Sequence, residues 1–174
     1  KTMDSRTKKS KPAQALAQGI HVVAKPIGPV CNLACEYCFY LEKKALFSPG
    51  EQYRMSDAVL GALIANYIAS QPTPVVEFVW QGGEPTLLGI DFFKKVIAFQ
   101  RPLAGVKTIR NALQTNGTLL TDKWCLFLKK HDFMVGISLD GPQAIHDRYR
   151  RDRKGDGSFE KAMQGLRLLQ KHQV

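Results

Sequence analysis

Strand-like and helix-like segments alternate along this chain, and that alternation restricts its fold more than any other feature of the sequence. Short apolar runs rich in β-branched residues are expected to form strands at 20–25, 75–80, 107–114 and 133–139. Between and after these runs, apolar residues recur at the helical spacing of three or four. Because strands joined by crossover helices run parallel, we predict an α/β fold built on one parallel sheet.

Two serines are expected to begin helices of this pattern. Ser56 and Ser158 each precede an apolar helical stripe, where a hydroxyl can accept a hydrogen bond from the first turn. Other helices are expected after the second strand and at 122–131. The stripe that follows Ser56 consists of Val59, Leu60, Leu63, Ile64, Tyr67 and Ile68.

Parallel strands whose helices lie on one face curl toward a barrel. Four strands are too few to close such a barrel, and the chain ends at Val174, where a fifth strand would begin. We therefore expect a partial (βα) barrel that is the N-terminal part of a longer protein. Residues 1–19 are expected to form a basic, flexible tail, and residues 20–174 the core domain.

Three of the four cysteines lie close together, as Cys31-x3-Cys35-x2-Cys38. A disulfide framework would spread its cysteines along a small secreted chain, so this group indicates ligation of a metal or an iron–sulfur cluster. Four thiolates close a structural site, whereas three leave one position open for another ligand. A zinc site completed by His21 remains an alternative, and Cys125 is expected to be a buried apolar residue.

The net charge of +10 favours acidic partners. The basic run at 148–154 is expected to be a solvated loop around Arg150, and we do not expect a nucleic-acid site there. No stretch approaches the roughly 18 consecutive apolar residues of a membrane span, and no apolar signal core follows the basic N-terminus. The sequence therefore predicts a cytoplasmic protein that binds neither nucleic acid nor membrane.

Polar, glycine-rich segments follow the predicted strands. The cysteine segment follows the first strand, and QGGEP, QTNG and SLDGP follow the other three in order. Ligands of parallel α/β folds bind at the carboxyl ends of the strands, so these four loops are expected to form one site.

These segments also carry a resemblance. CNLACEYCFY, with an aromatic residue before the last cysteine, resembles the cluster motif of the radical S-adenosylmethionine superfamily, and GGEP resembles the second motif of that family. More narrowly, CNLACEYCFY, QGGEPTL, LQTNGTLL and GISLDGP followed by IHD resemble the anaerobic sulfatase-maturating enzymes. The resemblance begins near residue 20, continues to the end of the chain, and implies about four of six βα units of that barrel.

The resemblance implies two cofactors and a set of residues that bind them. Cys31, Cys35 and Cys38 would bind three irons of a [4Fe–4S] cluster, and S-adenosylmethionine would chelate the fourth. Tyr37 would lie near the adenine, and Gly83 would let the backbone approach the methionine amino group because it has no side chain. The remaining contacts are expected from Gly82 and Glu84, which shape the turn, Ser138 near the ribose, and Arg150 at the methionine carboxylate; Gln114 and Asn116 would face the barrel mouth.

The implied activity is maturation of sulfatases by a 5′-deoxyadenosyl radical, which oxidises a Cys or Ser of an unfolded sulfatase polypeptide to Cα-formylglycine. The catalytic base and auxiliary clusters of that family are expected outside this chain. An acidic flavodoxin- or ferredoxin-like protein is the expected electron donor. Two alternatives are a related radical enzyme that forms thioether or other crosslinks in peptides, and a non-enzymatic zinc module.

Overall fold

Four parallel strands form the single sheet of the part of the chain that the structure describes. The computed structural model describes residues 19–48 and 53–174. The strands are β1 (Val22–Ala24), β2 (Val75–Trp80), β3 (Thr108–Thr115) and β4 (Phe133–Ile137), and they pair in the order β1-β2-β3-β4. The predicted α/β fold and open partial barrel are confirmed.

Helices connect and follow the strands. They are α1 (Phe39–Lys43), α2 (Asp57–Ser70), α3 (Ile90–Leu103), α4 (Asp122–Lys130), α5 (Gln143–Tyr149) and α6 (Phe159–His172), with 3-10 turns at Lys44–Leu46 and Pro85–Leu88. Helices α1 and α5 were not predicted, because each is too short to display a full apolar stripe. The predicted tail at 1–19 lies, except for Gly19, outside the described residues, and the domain division remains a prediction.

One face of the sheet is covered by helices, and alternate residues of each strand point into that layer. On β2, Val76, Phe78 and Trp80 are at most 1% exposed. The indole of Trp80 meets the rings of Phe92 and Phe93 of α3 edge to face, at centroid separations of 6.4 and 6.2 Å. The opposite sheet face remains half-exposed, so the core lies entirely to one side of the strands.

Two details of the predicted helices are wrong. Val59 is 55% exposed, because it lies about a quarter turn away from Leu60 and outside the buried arc of α2. Ser158 precedes α6, but its side chain accepts no capping hydrogen bond. The carboxylate of Asp147 accepts the bond from the Phe159 amide instead, at 2.8 Å. Ser56 does cap α2, since its hydroxyl accepts from the Val59 amide at 3.3 Å.

Two other expectations can be compared with the structure directly. The thiol of Cys125 on α4 is fully buried among apolar side chains, as predicted. Among the residues that the structure describes, no helix combines the length and the apolar character that crossing a bilayer requires.

Candidate functional site

A cleft opens at the carboxyl edge of the sheet, where the loops after all four strands meet. It encloses about 670 Å³, part of which is open to solvent. All the residues that the sequence singled out for cluster and cofactor binding line this one cleft: Cys31, Cys35, Cys38, Tyr37, Gly82, Gly83, Glu84, Ser138 and Arg150. Gln114 and Asn116 also line it, so the strand-end loops converge as expected.

The three cysteines lie on one loop between β1 and α1. Cys35 is buried and the other two are half-buried, and all three are free thiols. A tight turn brings the last two together, since the Cys38 amide donates to the Cys35 carbonyl at 3.0 Å. The sulfur of Cys31 accepts from the Leu33 amide at 3.3 Å and from the Asn116 side-chain amide at 3.8 Å. Such N–H···S bonds stabilise negative charge on a sulfur ligand.

Burial opposes ionisation of these thiols in the absence of a ligand. Burial raises the pKa of Cys35 to about 11, although the positive charge of Arg150 acts in the opposite direction. Burial likewise raises the pKa of Cys31, partly offset by the Leu33 amide. A cation that binds these sulfurs must therefore displace protons.

Gly83 allows the turn after β2 to pack against the cysteine loop. Its φ of +53° is in the left-handed region, and a Cβ there would lie 2.1 Å from the Val30 carbonyl oxygen. The neighbouring amide of Glu84 donates to the same oxygen at 2.8 Å. The structure thus gives this glycine a role that the sequence did not predict, which is close contact with backbone of the cysteine loop. Gly82 packs in the same way against the side chain of Lys25.

The carboxylate of Glu84 joins the loops after β2 and β3. It is 1% exposed, and its Oε1 accepts from the amide and hydroxyl of Thr86, at 3.0 and 2.6 Å, and from the hydroxyl of Thr115 at 2.7 Å. Its Oε2 accepts from the amide of Asn116 at 2.8 Å. A buried carboxylate is tolerated when its oxygens are satisfied in this way, so Glu84 holds the cleft wall together.

A side-chain network extends this wall to the cysteine loop. The Asn116 side-chain amide donates to Asn32 Oδ1 at 2.9 Å, and the Asn32 side-chain amide donates to the Thr118 hydroxyl at 2.9 Å. The same Asn116 therefore bonds to Asn32 and to the sulfur of Cys31. Asn32 and Thr118 were not singled out from the sequence, because neither belongs to a recognised ligand spacing.

Arg150 and Asp140 form an ion pair in the opposite wall. The Nε of Arg150 donates to Asp140 Oδ2 at 2.9 Å, and the side chains are 16% and 24% exposed. The Tyr37 hydroxyl donates to the same carboxylate oxygen, and the guanidinium carbon lies 5.3 Å from the centre of the Tyr37 ring. Burial opposes ionisation of Asp140, but the bonds from Arg150 and Tyr37 prevail and lower its pKa.

Burial and the Asp140 bond raise the pKa of Tyr37, so its phenol stays protonated at neutral pH. Ser138, in the loop after β4, bonds to the end of β3, since its hydroxyl accepts from the Gln114 side-chain amide at 3.1 Å. Both side chains line the cleft. Hydroxyl, amide and guanidinium groups therefore surround the space in front of the cysteines.

The basic run at 148–154 has exposed side chains at Arg148, Arg151, Arg153 and Lys154, as the sequence predicted, but it is not a free loop. Its backbone pairs with the cysteine loop: the Ala34 amide donates to the Arg151 carbonyl at 2.7 Å, and the Glu36 amide donates to the Tyr149 carbonyl at 2.8 Å. The Arg153 guanidinium donates two bonds to the Cys31 carbonyl, at 3.0 and 2.7 Å. These contacts link residues more than 110 positions apart, which explains why no local pattern revealed them.

The donor set fits an iron–sulfur cluster better than zinc. His21 immediately precedes β1, at the amino end of the sheet, whereas the cysteines follow its carboxyl end. Within residues 19–48 and 53–174, no three His, Cys, Asp or Glu side chains are grouped closely enough to share one metal ion. His21 therefore does not join the cysteines as a fourth zinc ligand, whereas three thiolates can each bind a separate iron of a cubane cluster. The residues present therefore fit a cluster bound by three cysteines.

Several curated relatives are named as anaerobic sulfatase-maturating enzymes. The chain is 49% identical over 158 residues to a serine-type anaerobic sulfatase-maturating enzyme from Bacteroides thetaiotaomicron. This match covers 91% of the chain and 38% of the relative. It is 36% identical over 157 residues to a cysteine-type anaerobic sulfatase-maturating enzyme from Clostridium perfringens, covering 89% of this chain and 42% of the relative. The chain thus spans about two fifths of the length of these relatives.

Solved structures agree with the sequence matches. The structure of native anSMEcpe with bound AdoMet and Cp18Cys peptide superimposes with a TM-score of 0.78 at 37% identity, and the match covers 88% of this chain and 40% of that one. The family model of the Radical SAM superfamily matches residues 26–174. These matches confirm the resemblance seen in the sequence motifs, and the chain belongs to the radical SAM superfamily.

Proposed function

We propose that this chain forms the cofactor-binding part of an enzyme that matures sulfatases by oxidising a serine or cysteine side chain to Cα-formylglycine. The observation that carries the proposal is the convergence of three free thiols, the Gly82–Gly83 turn and Arg150 in one cleft. When bound there, a [4Fe–4S] cluster and S-adenosylmethionine would supply reductive chemistry that generates a carbon radical able to remove a substrate hydrogen atom.

The cysteine loop is suited to hold the cluster. Cys31, Cys35 and Cys38 would each bind one iron, leaving the fourth iron open to S-adenosylmethionine. Arg153 fixes the Cys31 carbonyl, and the Leu33 amide and Asn116 side chain donate to the Cys31 sulfur. These contacts orient the ligand and stabilise its thiolate form.

The surrounding loops are suited to hold S-adenosylmethionine. Arg150 bonds to Asp140 through Nε, and among the described residues its two terminal nitrogens have no hydrogen-bond acceptor, so they are available to the methionine carboxylate. Ser138 would meet the ribose, Tyr37 would lie beside the adenine, and the turn at Gly82–Glu84 would receive the methionine amino group.

A serine-bearing sulfatase peptide is the first substrate to assay. The serine-type relatives share 46–49% identity with this chain, against 35–36% for the cysteine-type relatives. Conversion of a serine CH₂OH to CHO removes two hydrogen atoms, one of them to the radical and the other as a proton and an electron. The base and the acceptor for that second step are not assigned to residues of this chain.

The test is a single-turnover assay under anaerobic conditions. The full-length protein, of which this chain is the proposed cofactor-binding part, is loaded with its clusters, reduced, and mixed with S-adenosylmethionine and an unfolded peptide that carries the sulfatase serine. The proposal predicts 5′-deoxyadenosine and a peptide lighter by two hydrogens that reacts with an aldehyde probe. Formation of 5′-deoxyadenosine with a thioether or crosslinked peptide would instead favour the related peptide-crosslinking activity. The absence of both products from a loaded protein would contradict the proposal.

An acidic flavodoxin- or ferredoxin-like protein is the electron donor that the charge balance favours. The net charge is +10, and Arg148 and Arg151 are exposed on the segment that pairs with the cysteine loop. Reduction of the cluster by such a donor should slow as ionic strength rises. A rate that does not change with salt would contradict this assignment. Reduced thiols also require a reducing compartment, which is consistent with a cytoplasmic protein.

A further inference from the structure

His146 of α5 lies outside the cofactor cleft and is not among the residues assigned to it above. Its side chain is 1% exposed, and both ring nitrogens have partners. The Asp140 amide donates to Nδ1 at 3.4 Å, and Nε2 lies 3.0 Å from the Ser158 hydroxyl. The Ser158 hydroxyl is in turn 2.8 Å from the Arg150 carbonyl oxygen.

The partners fix the proton positions along this chain of hydrogen bonds. A carbonyl oxygen can only accept, so the single hydroxyl proton of Ser158 points to Arg150. The Ser158 oxygen must therefore accept from His146, which places a proton on Nε2. The Asp140 amide donates to Nδ1, so that nitrogen carries none. His146 is thus neutral, in the Nε2–H form, and a second ring proton would face the Asp140 N–H directly.

The chain of hydrogen bonds joins the backbones of the same two residues whose side chains pair in the cleft wall. At one end is the amide of Asp140, and at the other is the carbonyl of Arg150. The Arg150 amide also donates to the His146 carbonyl at 2.8 Å. Backbone anchors at both residues restrict how far the Asp140 carboxylate and the Arg150 guanidinium can move relative to each other.

We propose that His146, acting through Ser158, is a positioning residue that holds Arg150 and Asp140 in the geometry that binds the S-adenosylmethionine carboxylate. The proposal rests on the role of Arg150 given under the proposed function. It requires the neutral imidazole, because the imidazolium would break the bond from Asp140 and add a positive charge beside Arg150. The other charged groups that face the ring are the carboxylates of Asp140 and Asp147, and the Phe159 ring of α6 packs against it at 5.5 Å.

The experiment measures cofactor affinity and cluster content separately. Three variants are compared with the parent protein, each loaded anaerobically with its cluster. His146→Asn keeps an acceptor near the position of Nδ1 but cannot reach Ser158, and Ser158→Ala removes the link to the Arg150 carbonyl. His21→Gln is the control, since this exposed histidine precedes β1 at the far end of the sheet. Binding is followed by the change that S-adenosylmethionine causes in the spectrum of the reduced cluster.

We expect His146→Asn and Ser158→Ala to weaken S-adenosylmethionine binding about tenfold at pH 8, with unchanged iron content. In the parent protein the affinity should fall between pH 7.5 and 5.5, and this pH dependence should be smaller in His146→Asn. Equal affinity in parent and variants would overturn the positioning role of His146 without affecting the proposed function. Failure of the loaded parent to bind the cofactor would instead contradict the proposed function, and the positioning role with it.

A second measurement does not depend on how the variants fold. Nitrogen-15 spectra of the imidazole rings in the unsubstituted protein report which ring nitrogen carries the proton. We expect the neutral Nε2–H form of His146 at pH 7. Detection of the Nδ1–H form, or of an imidazolium at that pH, would overturn the proposal.

Discussion

Gly83 and Val30 are in direct backbone contact, and this contact holds the turn after β2 against the cysteine loop. The space for a Cβ on Gly83 is filled by the Val30 carbonyl oxygen, 2.1 Å away. That oxygen also accepts from the Glu84 amide at 2.8 Å. The position of the three thiols relative to the turn after β2 therefore depends on a residue that has no side chain.

Gly83→Ala should displace the cysteine loop and impair cluster assembly. The control is Gly105→Ala, because Gly105 has nearly the same φ, +55°, but nothing within 4 Å of the added Cβ. Both variants incur the left-handed strain of about 1–2 kcal/mol. Only Gly83→Ala adds the steric overlap, which should cost about 1–3 kcal/mol more. Urea unfolding and iron content per chain measure both effects, and equal values for the two variants would contradict the assigned contact.

Glu84→Gln should destabilise the fold by about 2–3 kcal/mol, because the amide places an N–H₂ group where hydrogen-bond donors already point. The carboxylate now accepts from Thr86, Thr115 and Asn116. Glu42→Gln removes the same charge from an exposed position and should change stability by less than about 0.5 kcal/mol. Chemical denaturation measures the difference in stability between the two variants. If Glu84→Gln leaves stability unchanged, these hydrogen bonds do not stabilise the fold.

Arg153→Ala should let the cluster dissociate more easily, since the Cys31 carbonyl loses both guanidinium bonds. We expect iron loss to a chelator to be roughly fivefold faster than in the parent. Arg148→Ala removes an equal charge from the same segment, where the guanidinium packs on the Tyr149 ring, and should leave the rate unchanged. If both variants lose iron at the same rate, net charge rather than the Cys31 contact is responsible.

Stability should fall as the pH decreases from 7.5 to 5.5. Burial lowers the pKa of His146 and of His131 below the ordinary value of 6.5, with smaller effects from Arg150 on the first and Lys130 and Arg101 on the second. The unfolded chain therefore binds protons in this range that the folded chain does not, so folding weakens as the pH falls. The urea concentration at the unfolding midpoint should therefore decrease as the pH falls from 7.5 to 5.5.

His146→Gln and His131→Gln should each reduce this pH dependence, and the double variant should reduce it further. Carboxylates with lowered pKa, such as Asp140, act only at lower pH and do not contribute to this window. A double variant whose midpoint changes with pH as strongly as that of the parent would contradict the assignment of these two histidines.

The strands and the cleft were predictable because their signals are local. The β2 segment is a short apolar run, the cysteine spacing leaves three thiols on one loop, and the polar segments follow strand ends that parallel topology brings together. Each of these features is visible within about ten residues of sequence. The short helices α1 and α5 lacked such a signal.

The contacts that hold the cleft together could not be predicted in the same way. Arg153 bonds to a backbone carbonyl, which has no sequence signature, across 122 positions of chain. Ser158 has the residue type and position of a helix cap, yet its hydroxyl bonds to His146 and to the Arg150 carbonyl. Propensity describes what a residue can do locally, and tertiary partners decide which of those bonds it makes.

In the function proposed above, Cys31, Cys35 and Cys38 hold a [4Fe–4S] cluster with one iron open to S-adenosylmethionine. The decisive measurement is electron paramagnetic resonance of the anaerobically reconstituted, reduced protein, with and without the cofactor. We expect a reduced-cluster signal that shifts when S-adenosylmethionine is added. A reduced-cluster signal that does not change on addition of the cofactor would contradict this assignment.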